Sequence, residues 1–158
     1  MKKILSLICA ILFTNSLVLA YQEIHLNGFQ YIIIDNGSVA VWNCYNNQDT
    51  LIIPEFVMYN GEKYTVVEIA GGAFWGKDYI VSVIIPNTVT SIGQSAFREC
   101  ENLSSVVMPN SITNIGNAAF WGCSNLTSFT IPNSVTHIGA AIFGDCTNLT
   151  TLDYNARN

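Results

Sequence analysis

The chain is 158 residues long, formally −5 at neutral pH, half hydrophobic and only 11% charged. That length holds one domain of ordinary size. Its six lysines and arginines are few and, beyond Lys2-Lys3, scattered, which excludes the clustered basic face that nucleic acids or anionic membranes require.

Lys2 and Lys3, the apolar run from Ile4 to Phe13, and Val18-Leu19-Ala20 together have the form of a secretory signal over residues 1–20, cut before Tyr21. Thr14-Asn15-Ser16 breaks the apolar run too early for a spanning helix of about 20 residues. Cys9 lies inside that run, after the bulky Ile8, and not where a lipid-attached cysteine is expected. The expected product is an exported chain that does not span a membrane. It keeps four basic residues (Lys63, Lys77, Arg98, Arg157) against eleven acidic ones, a net charge of −7.

Residues 21–54 precede any repeat. Phe29 to Ile34 and Val39 to Trp42 are apolar, β-rich runs around Asp35-Asn36-Gly37-Ser38, which is a hairpin signal. With Leu51-Ile52-Ile53 they read as an N-terminal cap. Residues 55–158 read as a solenoid of about four coils. The first coil is extended by a second hairpin, because Pro54 precedes Phe74 by twenty residues where the later prolines precede their phenylalanines by eleven. Tyr59-Asn60-Gly61-Glu62 supplies the type I′ turn of that insertion.

Phe74, Phe97, Phe120 and Phe143 stand 23 residues apart. Each anchors the unit Ile-Pro-Asn-x-Val/Ile-Thr-x-Ile-Gly-x-x-Ala-Phe-x-x-Cys-x-Asn-Leu, clearest over 85–105, 108–128 and 131–151. A fixed period of this length means stacked copies of one small unit, each burying its apolar face on the next. Alternating apolar residues predict a strand at 126–131 and a shorter one at 135–138. Gly93, Gly116 and Gly139 are expected to ease a backbone bend. Ala119, Phe120 and Cys123 have the spacing of one helical turn. The fold class is therefore mainly β with short helical turns: a solenoid of 23-residue repeats behind a hairpin cap.

Three cysteines, Cys100, Cys123 and Cys146, share one repeat column. They are expected as a buried ladder of free thiols pointing in parallel into the core, in preference to bridges or a zinc site.

These residues resemble the BspA-like branch of the leucine-rich repeats, whose Leu-x-x-Val-x-Ile-Pro-x-Ser-Val-Thr-x-Ile-Gly-x-x-Ala-Phe-x-x-Cys pattern is met from about Ile80 to Leu152. Ala70 in place of the glycine, Lys77 of the cysteine and Ile142 of the alanine are the departures. The resemblance implies a secreted or cell-surface protein that adheres to or binds other proteins, such as host matrix or cell-surface proteins. It supplies no fixed functional residues.

No catalytic constellation emerges. His25 belongs to the cap, and His137 occupies the column of Glu68, Ser91 and Asn114 on the solvent side of the short strand. Glu99, Glu101 and Asp145 read as a solvated acidic edge, not an acid–base pair. The expectation is a non-enzyme without cofactor or metal. Two surfaces are candidates for binding. One is the outward strand face, with Ser82, Ser105, Ser128 and Thr151 in one column and Ile84, Val107, Thr130 and Asp153 in the next. The other is the column Trp75, Arg98, Trp121, Gly144, where exposed indoles beside an arginine suit a protein hot spot or, alternatively, a sugar ring. A structural piece of a longer repeat array is the third reading.

Residues 149–154 are expected to form a strand with an open outer edge, a template for pairing with another chain. Weak, concentration-dependent self-association through this edge is the expected outcome in light scattering. Thr151→Pro should reduce it, and a chain that stays monomeric at high concentration removes the idea.

Overall fold

The computed structural model describes residues 23–154; the expected signal over 1–20 and the last four residues lie outside them. The chain opens with three antiparallel strands, β1 (Glu23–Leu26), β2 (Phe29–Asp35) and β3 (Ser38–Cys44). The turn before β2 places Asn27 and Gly28 at φ of 52° and 82°, the left-handed pair that a tight hairpin needs. Then β4 (Thr50–Ile52) crosses to the other side of the molecule, and β5 (Phe56–Tyr59) and β6 (Glu62–Ile69) form the inserted hairpin on Asn60-Gly61.

From there each coil contributes one main strand and one short strand. The main strands are β7 (Ser82–Ile84), β9 (Ser105–Val107), β11 (Ser128–Ile131) and β13 (Thr151–Tyr154). The short ones are β8 (Ser91–Ile92), β10 (Asn114–Ile115) and β12 (His137–Ile138). The short strands continue the cap sheet in the order β1-β2-β3-β6-β8-β10-β12, with β3 entering parallel to β6. Hairpin strands thus occupy the edge that a preceding coil would fill. On the other side β4 pairs in parallel with β7 and β7 with β9, while β11 pairs with β13. Leu51-Ile52-Ile53, grouped with the cap by sequence, therefore begins the main sheet.

The main ladder is interrupted between β9 and β11. There Phe129 stands in the column of Val83 and Val106, and its ring packs 5.0 Å from Phe120 and 4.7 Å from Phe143. A phenyl ring needs more room than the valines before it, and Val106 and Met108 beside the gap are partly exposed.

Between the sheets runs the phenylalanine column. Phe74, Phe97 and Phe120 are fully buried, with successive centroids 5.1 and 5.3 Å apart in stacked geometry. Phe143 and Cys146 are only partly buried. Both belong to the last coil, whose outer side has no further coil among the described residues. Ile138, Leu152 and Tyr154 are exposed on the same coil. The cysteines are free: Cys100, Cys123 and Cys146 each donate their S–H to the carbonyl of the previous coil's phenylalanine, at 3.0, 3.2 and 3.0 Å. Burial pushes the Cys100 thiol up to about 12 and raises the other two as well.

The segment expected as a helical turn is not helical; no helix occurs among the described residues. It is a run of tight turns with two left-handed positions per coil. The first is Gly72, Ser95, Ala118 and Ala141, and the second is Gly76, Glu99, Gly122 and Asp145. Alternate N–H groups bond three residues back (Ala96 to Gly93, Arg98 to Ser95, Cys100 to Phe97). The intervening ones cross to the next coil, Ser95 to Asn117, Phe97 to Ala119 and Glu99 to Trp121, at 2.7–2.9 Å. The i, i+1, i+4 spacing is apolar-inward in either geometry, and the cross-coil bonds decide between them.

The repeat glycine also has a different reason from the one expected. A Cβ on Gly116 would lie 2.5 Å from the Gln94 amide nitrogen, and Gly93 and Gly139 meet the previous coil's backbone just as closely. Close approach of neighbouring coils excludes a side chain here. Ala70 is tolerated because no earlier repeat coil lies beneath it.

Two substitutions of the same residue types should therefore act in opposite directions. Gly116→Ala forces backbone against backbone and should cost about 1–3 kcal/mol. Ala118→Gly relieves a left-handed alanine and should be neutral to stabilising by up to about 1 kcal/mol. Urea unfolding of both variants checks the signs.

Candidate functional site

Two surfaces follow from this coil geometry. The first rides on the tight turns, where the residue after each core phenylalanine immediately precedes a left-handed one. That position holds Trp75, Arg98, Trp121 and Gly144. The Arg98 guanidinium carbon lies 5.0 Å from the Trp75 ring centroid and 4.1 Å from that of Trp121, so one cation is sandwiched by two indoles. Glu99 fastens the stack. Its carboxylate accepts the Trp75 indole N–H at 2.9 Å and the Arg98 Nε–H at 3.1 Å. Those hydrogen bonds, from Trp75 first and then Arg98, hold it below the usual carboxylate range. Glu99 is thus not a loose member of an acidic edge.

Gly144 completes the arrangement. A Cβ there would overlap the Trp121 indole, so the glycine is the notch into which that ring settles. Trp121 is consequently only partly exposed, while Trp75 remains 52% exposed. Each indole turns one face to Arg98. The aromatic column thus offers a single well-exposed ring at its N-terminal end and no continuous platform.

The second surface is the solvent face of the main sheet. Strand alternation sends Leu51, Val83, Val106, Phe129 and Leu152 toward the core and their neighbours outward. One outward column is Thr50, Ser82, Ser105, and the next is Ile52, Ile84, Val107, in direct register across β4, β7 and β9. Those three aliphatics are 61%, 39% and 53% exposed. Ser128 and Thr151 extend the first column and Thr130 and Asp153 the second, across β11 and β13, all exposed. The structure thus brings Ser105, Val107, Ser128 and Thr130 onto one face, and sets Trp75, Arg98 and Trp121 on a separate one. Ile52 went unrecognised because the inserted hairpin hides its register with Ile84. The aliphatic Leu51-Ile52-Ile53 run just before Pro54, matching Val83-Ile84-Ile85 before Pro86, is the signal the sequence carries.

The remaining polar groups are dispersed. His25 bonds only Glu23 and the partly exposed Gln30, and His137 contacts Thr136 on the surface. Among the described residues no group of three His, Cys, Asp or Glu side chains is placed to hold a metal ion. Glu68 is held above the usual carboxylate range by burial.

The stack gives a direct prediction. Gly144→Ala should expel the Trp121 indole from its notch, so tryptophan emission shifts to longer wavelength and acrylamide quenching increases. Emission unchanged from the parent would show that the ring does not depend on the notch.

Residues 66–157 match the model of the BspA type leucine-rich repeat region in six copies. No curated protein matches the chain at a significant level. Among solved structures, a leucine-rich repeat protein from Bacteroides capillosus is 28% identical with a TM-score of 0.78, over 85% of this chain and 99% of that one. The T. pallidum leucine-rich repeat protein is 27% identical with a TM-score of 0.67, over 83% and 71%. A leucine-rich cell surface protein from Faecalibacterium prausnitzii shares the fold at 24% identity and a TM-score of 0.64, over 84% of this chain and 42% of that one. With the repeat match spanning more than half its length, the chain belongs to the BspA-type leucine-rich repeat family.

Proposed function

We propose that the chain is an exported, non-catalytic binding module that adheres to proteins through the solvent face of its main sheet. The observation that carries this is the aligned, exposed row Ile52, Ile84 and Val107. Three aliphatics held in register on a rigid ladder keep apolar area in water at no gain to the fold, and removing that area from water stabilises a complex. Ser105, Ser128 and Thr130 continue the face with small hydroxyls that accept or donate hydrogen bonds at low conformational cost. Export is supported by the signal-like composition of residues 1–20 and by the cell-surface description of the F. prausnitzii relative. The partner class that fits is a matrix or cell-surface protein, bound without a cofactor.

A second reading, favoured by the exposure of Trp75, is a sugar ring stacked on the free face of that indole. Self-association through the β13 edge, where Leu152 and Tyr154 are exposed, is compatible with either.

Binding of residues 21–158 to panels of extracellular-matrix proteins and glycans separates these. Ile84→Ser with Val107→Ser should weaken protein binding about tenfold while leaving the melting temperature within a few degrees. Loss of binding in Trp75→Ala alone would favour the glycan reading. Unchanged affinity in both variants would refute both surfaces.

A further inference from the structure

The charges around the aliphatic row say more about what it meets. Asp49 leads directly into β4, and its carbonyl accepts the N–H groups of Val81 and Ser82 at 2.7 and 3.0 Å, which fixes it beside the start of β7. Asp78 and Glu101 occupy one column of the corner that leads into β7 and β9. Asn102 donates to the Asp78 carbonyl at 2.8 Å, and the Asn125 N–H donates to the Glu101 carbonyl at 3.0 Å. Glu55 follows β4 at the opposite end of the strand, and Asp153, in register with Thr130, holds the repeat position of Ile84 and Val107 beyond the break in the ladder. All five carboxylates are exposed. The three cations among the described residues are engaged elsewhere. Lys63 lies 4.3 Å over the Phe56 ring, Lys77 donates to the Cys44 carbonyl at 3.2 Å, and Arg98 is sandwiched between the indoles.

We infer that the aliphatic row Ile52, Ile84 and Val107 docks a segment of a partner protein that is apolar at its centre and rich in lysine or arginine at its flanks. The inference rests on the main-sheet face being the binding surface, and it adds the chemistry of the occupant. Three side chains at strand spacing cover about 10 Å, room for two or three apolar side chains of one segment. The acidic border then attracts a cationic flank, raises its association rate and disfavours an anionic one. A second copy of the same face is a poor occupant, because it would bring carboxylates against carboxylates.

The test uses residues 21–158 and three labelled synthetic peptides followed by fluorescence anisotropy. One has a Val-Thr-Val-Thr-Val centre between Lys-Lys flanks, the second has the same centre between Glu-Glu flanks, and the third has a Ser-Thr-Ser-Thr-Ser centre between Lys-Lys flanks. The first is expected to bind at least about tenfold more tightly than either of the others. Its affinity should fall several-fold between about 0.05 and 0.5 M salt, as screening shortens the reach of the border charges. Ile52→Ser with Ile84→Ser should weaken the first peptide about tenfold while leaving the melting temperature within a few degrees, and Asp49→Asn with Glu101→Gln should flatten its salt dependence. Equal binding of the lysine- and glutamate-flanked peptides, both weakened by the aliphatic variant, would overturn the cationic partner while keeping the face as a binding surface. Binding of the lysine-flanked peptides regardless of their centre, or no peptide binding at all, would overturn the inference. An aliphatic variant indistinguishable from the parent would overturn both the inference and the surface it rests on.

Discussion

Each coil gives up part of its backbone hydrogen bonding to the next, and the rest of the structure depends on that exchange. In the turn segment every second N–H leaves its own coil, so Phe97 bonds Ala119 at 2.8 Å while its neighbours Ala96 and Arg98 bond locally. A buried N–H without a partner is costly, so one coil in isolation would carry several such groups. The stack is stable because it is a stack. The same exchange sets the spacing that lets phenyl rings lie about 5 Å apart and makes each cysteine S–H reach the carbonyl of the coil before it.

That spacing explains where the molecule accepts unusual residues. Alanines at 118 and 141 adopt left-handed backbone conformations that such residues ordinarily avoid, and Glu99 and Asp145 do the same. For Ala118 and Glu99 the cost, about 1–2 kcal/mol each, is offset by the cross-coil hydrogen bonds their N–H groups donate, to the Ala140 and Trp121 carbonyls at 2.9 and 2.7 Å. Glu99 gains in addition: held at that angle, it accepts from both Trp75 and Arg98. The backbone arrangement that closes the coil is also the one that organises the aromatic column on its surface.

The two surfaces differ in kind. Around Arg98 the interactions are satisfied internally, since the cation, both indoles and the carboxylate already have partners. On the main sheet the outward aliphatics have none, and the carboxylates that border them are exposed. A surface with unsatisfied apolar area has more to gain from a partner than the conspicuous but internally satisfied tryptophans.

The 23-residue period was enough to establish stacked coils, the phenylalanine column and the thiol ladder, and the turn residues Asn36-Gly37 and Asn60-Gly61 were enough to mark two hairpins, because those depend on repetition and on local pattern. The spacing of Ala119, Phe120 and Cys123 could not separate a helical turn from tandem tight turns, since both put the same side chains inward. The choice belongs to hydrogen bonds between residues 22 apart, such as Ser95 to Asn117. The glycine column was visible, but its cause was not: contact with the Gln94 amide exists only once Gly116 has a coil beneath it. The pairing of Ile52 with Ile84 and the fit of Trp121 over Gly144 were likewise decided by tertiary structure. Both depend on how coils settle on one another, and neither depends on the residues next to them in the chain.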